Sequence, residues 1–156
     1  MTYRATRKSN CTWIEYTQAN TQTISNNTDI VWDVERSTST PAMSINSNTG
    51  VISLDSSKRY WIQASIHVIR NGTGNIEFEF QTSTGGNLTE SQGNFPMFYS
   101  NIDTNNYVVY GAYINSSFVV SLMVSYPSTD YKLVCKTVDT NSTLTAASHL
   151  FVMEME

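Results

Sequence analysis

Ionisable side chains are scarce in this sequence: charged residues make up 14% of the chain, against about 25% in an average globular protein. Thirteen Asp and Glu outnumber nine Lys and Arg, leaving a net charge of −4 and a pI near 5.1. A nucleic-acid groove needs clustered cations. Three of the nine, Arg4, Arg7 and Lys8, fall in the first eight positions, where a solvated terminus is the ordinary reading. Nucleic acid is not an expected partner. Cysteine occurs only at Cys11 and Cys135, which excludes a Cys-x-x-Cys site and does not suggest a disulfide framework, a Cys11–Cys135 bridge across a long loop being the alternative. Each lies in an alternating stretch, where a free, strand-buried thiol is expected. No apolar run reaches the ~18 residues of a membrane helix. The start, Met1-Thr2-Tyr3-Arg4-Ala5, lacks the apolar core of a signal peptide. The expectation is a complete, soluble chain made in a host cytoplasm, with no membrane partner, leaving by lysis or within a particle.

Ser, Thr and Asn occupy the space that Lys and Glu usually fill. All three are poor in helix interiors, and Thr also suits strands. Six Asn, at 10, 26, 71, 87, 115 and 141, match the glycosylation acceptor pattern. Without a secretion signal they read as turn residues.

Short runs of Val, Ile, Tyr and Phe, cut about every 8–12 residues by Asn, Ser, Thr and Gly, are the pattern of a β-sandwich or barrel. Residues 1–10 read as a tail or anchor, and residues 11–156 as one domain. Residues 11–24 alternate weakly, as an edge strand or one lying against a neighbour. Ile30 to Val34 reads as a short strand with Ile30, Trp32 and Val34 on one face. Met43 and Ile45, then Val51 to Leu54, flank the turn at Asn48-Thr49-Gly50.

The longest strand spans Arg59 to Ile69. One face carries Tyr60, Ile62, Ala64, Ile66 and Val68, and the other Trp61, Gln63, Ser65, His67 and Ile69. Asn71-Gly72-Thr73-Gly74 signals a tight hairpin, with Asn75 to Thr82 as partner strand, Ile76, Phe78 and Phe80 inward and Glu77 and Glu79 to solvent. After a loop over 83–94, strands are expected near Phe95 to Asn101, Tyr107 to Ile114, Phe118 to Tyr126, Tyr131 to Val138 and Ser148 to Met155. No stretch has helical period.

Reaction centres are hard to find. His67 and His149, the only histidines, lack the His-Glu-x-x-His spacing of a zinc site. Neither a Gly-x-Ser-x-Gly elbow nor a phosphate loop occurs. Glu77 and Glu79 share a face, as paired glycosidase carboxylates do, but beside a glycine turn they read as a solvated face. Asp29 and Asp33 lack the run of oxygen ligands that calcium takes. Tyr99, Tyr107 and Tyr110 offer a sugar platform, with core or subunit packing the plainer reading. No enzyme and no cofactor are expected.

Three stretches resemble the C1q/TNF-like jelly roll: Asn27 to Asp33; Gly50 to Leu54 followed by Arg59 to Ile66, a Tyr-led long strand after a short one; and Ser148 to Met155, the closing strand. The likeness spans about residues 11–156. It departs where the family usually has Gly before the Tyr-led strand and Gly-Asp before the penultimate one, since Arg59 precedes Tyr60 and Thr129 precedes Asp130. The resemblance implies an all-β jelly-roll sandwich of about ten strands without significant helix, and a homotrimer. Independently, the closing strand is apolar on both faces, with Leu150 and Val152 on one and Phe151, Met153 and Met155 on the other. Tyr107 to Ile114 is also apolar on both. Such strands need a second cover, either a symmetry-related copy or local loops. The resemblance sends Leu150 and Val152 into the core and directs Trp61, Gln63, Ser65, His67, His149, Phe151 and Met153 toward the axis, with Met123 contributing.

The expected function is a structural virion protein: a trimeric capsid decoration or head-fibre knob of a bacteriophage or related virus, on the virion surface. Its partners are its own copies and a major capsid or other virion protein. The alternative is a carbohydrate- or receptor-binding module, as at a fibre tip, with a host-surface glycan as partner.

Overall fold

The computed structural model describes residues 12–37, 42–70, 76–88, 94–100, 114–138 and 142–155. Within them the protein is all-β, without helix, and its strands form two antiparallel sheets packed as a β-sandwich.

The larger, eight-stranded sheet is organised around β7 (Arg59–Arg70). One edge of β7 pairs along its whole length with β10 (Ile114–Ser125), which in turn pairs with β9 (Asn94–Ser100). The other edge is shared by two strands laid end to end, β13 (His149–Met155) and β12 (Ser142–Leu144). Beyond them lie β1 (Trp13–Thr17) against β13 and β2 (Gln22–Ile24) against β12, and β4 (Val34–Glu35) closes the edge. The five-stranded sheet has β11 (Tyr131–Val138) at its centre. One side of β11 pairs with β8 (Ile76–Thr82), the other with β3 (Thr28–Asp29) and β6 (Ile52–Leu54), and β6 pairs with β5 (Met43–Ile45).

Strand alternation puts every second side chain into the space between the sheets. From the large sheet come Ile14, Tyr60, Ile62, Ala64, Ile66, Leu122, Val124, Leu150 and Val152; the small sheet supplies Met43, Ile52, Ile76, Phe78, Tyr131, Leu133 and Cys135. Cys135 is buried and outside any disulfide, as expected for it; Cys11 lies outside the described residues.

Two sequence expectations are corrected by the topology. The strand after the Asn71–Gly74 turn is not the hairpin partner of β7. Both edges of β7 are already taken, so the chain crosses the core and β8 pairs with β11 instead. The turn itself lies outside the described residues. Ile30 to Val34 is likewise not a strand: β3 belongs to the small sheet and β4 to the large one, so residues 30–33 are the crossover. Ile30 and Trp32 are fully buried there, while Val34 is only half-buried.

Side chains replace ladder partners along this crossover. The Gln18 amide donates to the Val31 carbonyl at 2.8 Å, Gln22 Oε1 accepts from Val31 N–H at 3.2 Å, and Asp33 Oδ1 accepts from Ala19 N–H at 2.7 Å. The crossover leans on the β5–β6 turn, where Gly50 has φ +69° and a Cβ would sit 2.0 Å from the Ile30 carbonyl oxygen. Only glycine fits both demands.

Asn26 occupies a turn as expected, its Oδ1 accepting from Val138 N–H at 2.6 Å. Asn115, also read as a turn residue, falls inside β10, because that strand follows β7 throughout. Asn10, Asn71 and Asn141, the strand expected at Tyr107 to Ile114 apart from Ile114 itself, which opens β10, and the tail at 1–10 lie outside the described residues.

Candidate functional site

The side chains of β7 that do not enter the core form the outer face of the large sheet. Register fixes their neighbours. Met123, Trp61, Met153 and Trp13 lie in one row across β10, β7, β13 and β1. The next row holds Ser121, Gln63, Phe151 and Glu15, and the one after it Val119, Ser65, His149 and Thr17. His67 follows on β7, opposite Ser117. All seven residues singled out from the sequence (Trp61, Gln63, His67, Met123, His149, Phe151 and Met153) therefore lie on one face of three adjacent strands.

Phe151 is the centre of the apolar part. Its ring stacks on Trp13 at 5.7 Å between centroids and meets the edge of Trp61 at 6.3 Å. Pairs at these separations each contribute about 0.5–1.5 kcal/mol beyond burial. This stripe is incompletely covered within one chain: Trp61, Met123, Phe151 and Met153 are half-buried, and Trp13 is 43% exposed. The core on the other side of the same strands is already closed, so the stripe adds nothing to it.

Away from the stripe the face becomes polar. His149 Nδ1 lies 2.9 Å from Glu15 Oε1, and His67 Nδ1 lies 3.0 Å from Ser117 Oγ. At the opposite end of β7, the Arg59 guanidinium sits 5.3 Å above the Tyr126 ring. Trp13 and Glu15 were missed by sequence reasoning. Their signal was the outward set Trp13, Glu15 and Thr17 alternating with Ile14 and Tyr16. Its value depends on the first strand lying beside the last, which no local pattern reveals.

Glu79, Asp29 and Asp33 among the chemical candidates have structural partners. Glu79 is paired with Lys136 at 2.9 Å and accepts from the Gln81 amide. The Glu79 carboxylate, as hydrogen-bond acceptor and counter-charge, raises the pKa of Lys136. Asp29 binds Lys132 at 2.9 Å. Among the described residues no group of three or more His, Cys, Asp or Glu is placed to hold a metal ion. Tyr99 lies in β9, and Tyr107 and Tyr110 are outside the described residues. No family model and no curated protein sequence matches the chain.

Proposed function

We propose that this protein is a structural virion component: a homotrimeric knob that decorates the capsid or caps a head fibre of a bacteriophage or related virus. The observation that carries the reading is the aromatic and thioether stripe of Trp13, Trp61, Met123, Phe151 and Met153 on the outside of a sheet whose inner face is already full. A sheet with one solvated face alternates apolar and polar residues, and contiguous apolar surface marks association.

The resemblance to C1q/TNF-like domains supplies the number three and the outer face as the contact. Two features support that resemblance. The last strand, β13, returns beside the first, β1, as in a Greek-key closure, and most connections cross between sheets. The Ser-, Thr- and Asn-rich composition suits a particle surface, and the basic start at Arg4, Arg7 and Lys8 suits an anchor on an acidic shell protein.

Light scattering on the purified chain tests the assembly: a mass near three times 17.5 kDa is expected, and a monomer refutes it. Particle occupancy tests the anchor. Deleting residues 1–10 abolishes binding to particles if the tail attaches the knob, and undiminished occupancy removes that role.

A further inference from the structure

Two large apolar side chains stand exposed among the described residues, Trp13 and Tyr126. Trp13 belongs to the stripe. Tyr126, 55% exposed, does not. It follows β10 at the turn into β11, with φ +54° and Pro127 next in the chain. A bulky residue at positive φ is an outlier, and a residue preceding proline is further restricted. Glycine or asparagine would make this turn with less strain. Packing does not explain the choice of tyrosine, since more than half of it faces solvent. The ring is nonetheless held in place: Arg59 lies over it, and Tyr126 N–H donates to the Lys58 carbonyl at 2.8 Å. Strained residues that persist in a well-determined setting are concentrated at functional sites.

Immediately beyond Tyr126 the chain forms the wall of an open groove. Pro127, Ser128, Thr129 and Asp130 enclose about 450 Å³ together with Leu54, Ser56 and Ser83, within the ~300–1,000 Å³ range of small-ligand sites. The wall is anchored, because Ser83 N–H donates to the Asp130 carbonyl at 2.8 Å. Four hydroxyls and one carboxylate line it, with Leu54 and Pro127 as the apolar part.

We propose that this end of the sandwich binds a neutral glycan. Tyr126, which stands next to the groove lining and not in it, offers the side of its ring not covered by Arg59 to the apolar side of one pyranose ring. The hydroxyls of Ser56, Ser83, Ser128 and Thr129, each both donor and acceptor, match the hydroxyls of an adjoining sugar, and the Asp130 carboxylate accepts from them. Charge decides the class. The groove lining holds Asp130 and no cation, the cation beside Tyr126, Arg59, is engaged over its ring, and the chain carries a net charge of −4, so a neutral sugar suits the lining better than phosphate or an acidic sugar.

The test is titration of the full chain with lactose, maltose and chitobiose, read by saturation-transfer NMR. At least one sugar is expected to saturate with a Kd of about 1 mM, a usual scale for a small open site. Tyr126→Gly should weaken that binding tenfold or more while leaving the assembled mass unchanged and the unfolding midpoint the same or higher, since glycine relieves the positive φ. Asp130→Ala should weaken binding in the same direction. The proposal is overturned if none of the three sugars saturates, if either variant binds like the native chain, or if Tyr126→Gly lowers the midpoint, which would make the ring a packing element. A monomeric native protein that still binds sugar would refute the trimer and leave this site standing.

Discussion

Phe151→Ser and Leu150→Ala, on opposite faces of β13, should fail in different ways. At most about a third of Phe151 is exposed in one chain. Covering that remainder recovers at most about a third of the ~1.5–3 kcal/mol of a fully buried phenylalanine. Three copies then contribute up to about 1.5–3 kcal/mol, a factor of about 10–10² in the trimer's association constant. Phe151→Ser also removes the ring pairs with Trp13 and Trp61, about 1–3 kcal/mol of fold stability together. Leu150 is fully buried in the core, so Leu150→Ala costs about 2–5 kcal/mol of fold stability through lost transfer energy and a cavity.

Light scattering over a dilution series reads association, and urea unfolding of the dissociated chain reads the fold. Phe151→Ser is expected to dissociate at about 3–10-fold higher concentration, the square root of the change in the trimer's association constant, with a folded subunit, and Leu150→Ala to unfold at lower urea. The reasoning fails if Phe151→Ser dissociates at the native concentration, because the outer stripe would then cover nothing.

Gly50→Ala should destabilise by about 2–5 kcal/mol, the sum of a positive φ and a steric overlap with the Ile30 carbonyl; urea midpoints measure it, and a change under 1 kcal/mol would show that the β5–β6 turn can move away. Tyr60→Phe should cost about 1–3 kcal/mol, because the buried hydroxyl donates to the Ala42 carbonyl at 3.0 Å and accepts from Asp55 N–H at 3.1 Å. Burial also pushes Tyr60, Tyr131 and Cys135 up to about 12. The unfolded chain releases these protons first, from about pH 8.5 for the thiol and about 10 for the phenols. Stability is therefore whole below those values and falls as pH rises toward 12, by up to about 1.4 kcal/mol per pH unit for each group. Cys135→Ala should delay the onset of that fall from about pH 8.5 to about 10, and an unchanged onset in urea titrations across pH would remove the thiol from the account.

Strand identity was legible wherever alternation ran long enough. Arg59 to Ile69, Ile76 to Thr82 and Ser148 to Met155 all carry the period of two that a pleated chain imposes, and they correspond to β7, β8 and β13. Pairing was not legible, because periodicity reports which face a residue takes and says nothing about which strand lies beside it. The tight-turn signal at Asn71–Gly74 argued for a local hairpin, yet β7 had both edges filled by strands remote in sequence. β12 escaped notice because three residues, Ser142–Leu144, are too short to show a period. The stretch 30–33 misled in the opposite direction: apolar residues two apart mimic a strand, although Ile30 and Trp32 are buried by a crossover between sheets.

The outer stripe was legible for the same reason that pairing was not. Leu150 and Val152 against Phe151, Met153 and Met155 is a pattern contained in one strand, so both its faces can be judged without knowing any neighbour. Register then adds what the sequence could not, namely that Trp13 and Trp61 stand on either side of Phe151. It also shows how charge is distributed. Along the rows from Trp13–Met153–Trp61–Met123 to Thr17–His149–Ser65–Val119, the ionisable groups are Glu15 and His149, and those two face each other at 2.9 Å. A solvated sheet face of this size would ordinarily carry several Lys and Glu, whose burial is costly unless they are paired. Their scarcity in these rows, where Glu15 is paired with His149, supports the proposed cover alongside the aromatic rings. On the proposed trimer, the apolar half of the contact would lie toward the end of the sandwich where β1 begins and β13 finishes, and the histidine- and serine-bearing half toward the other.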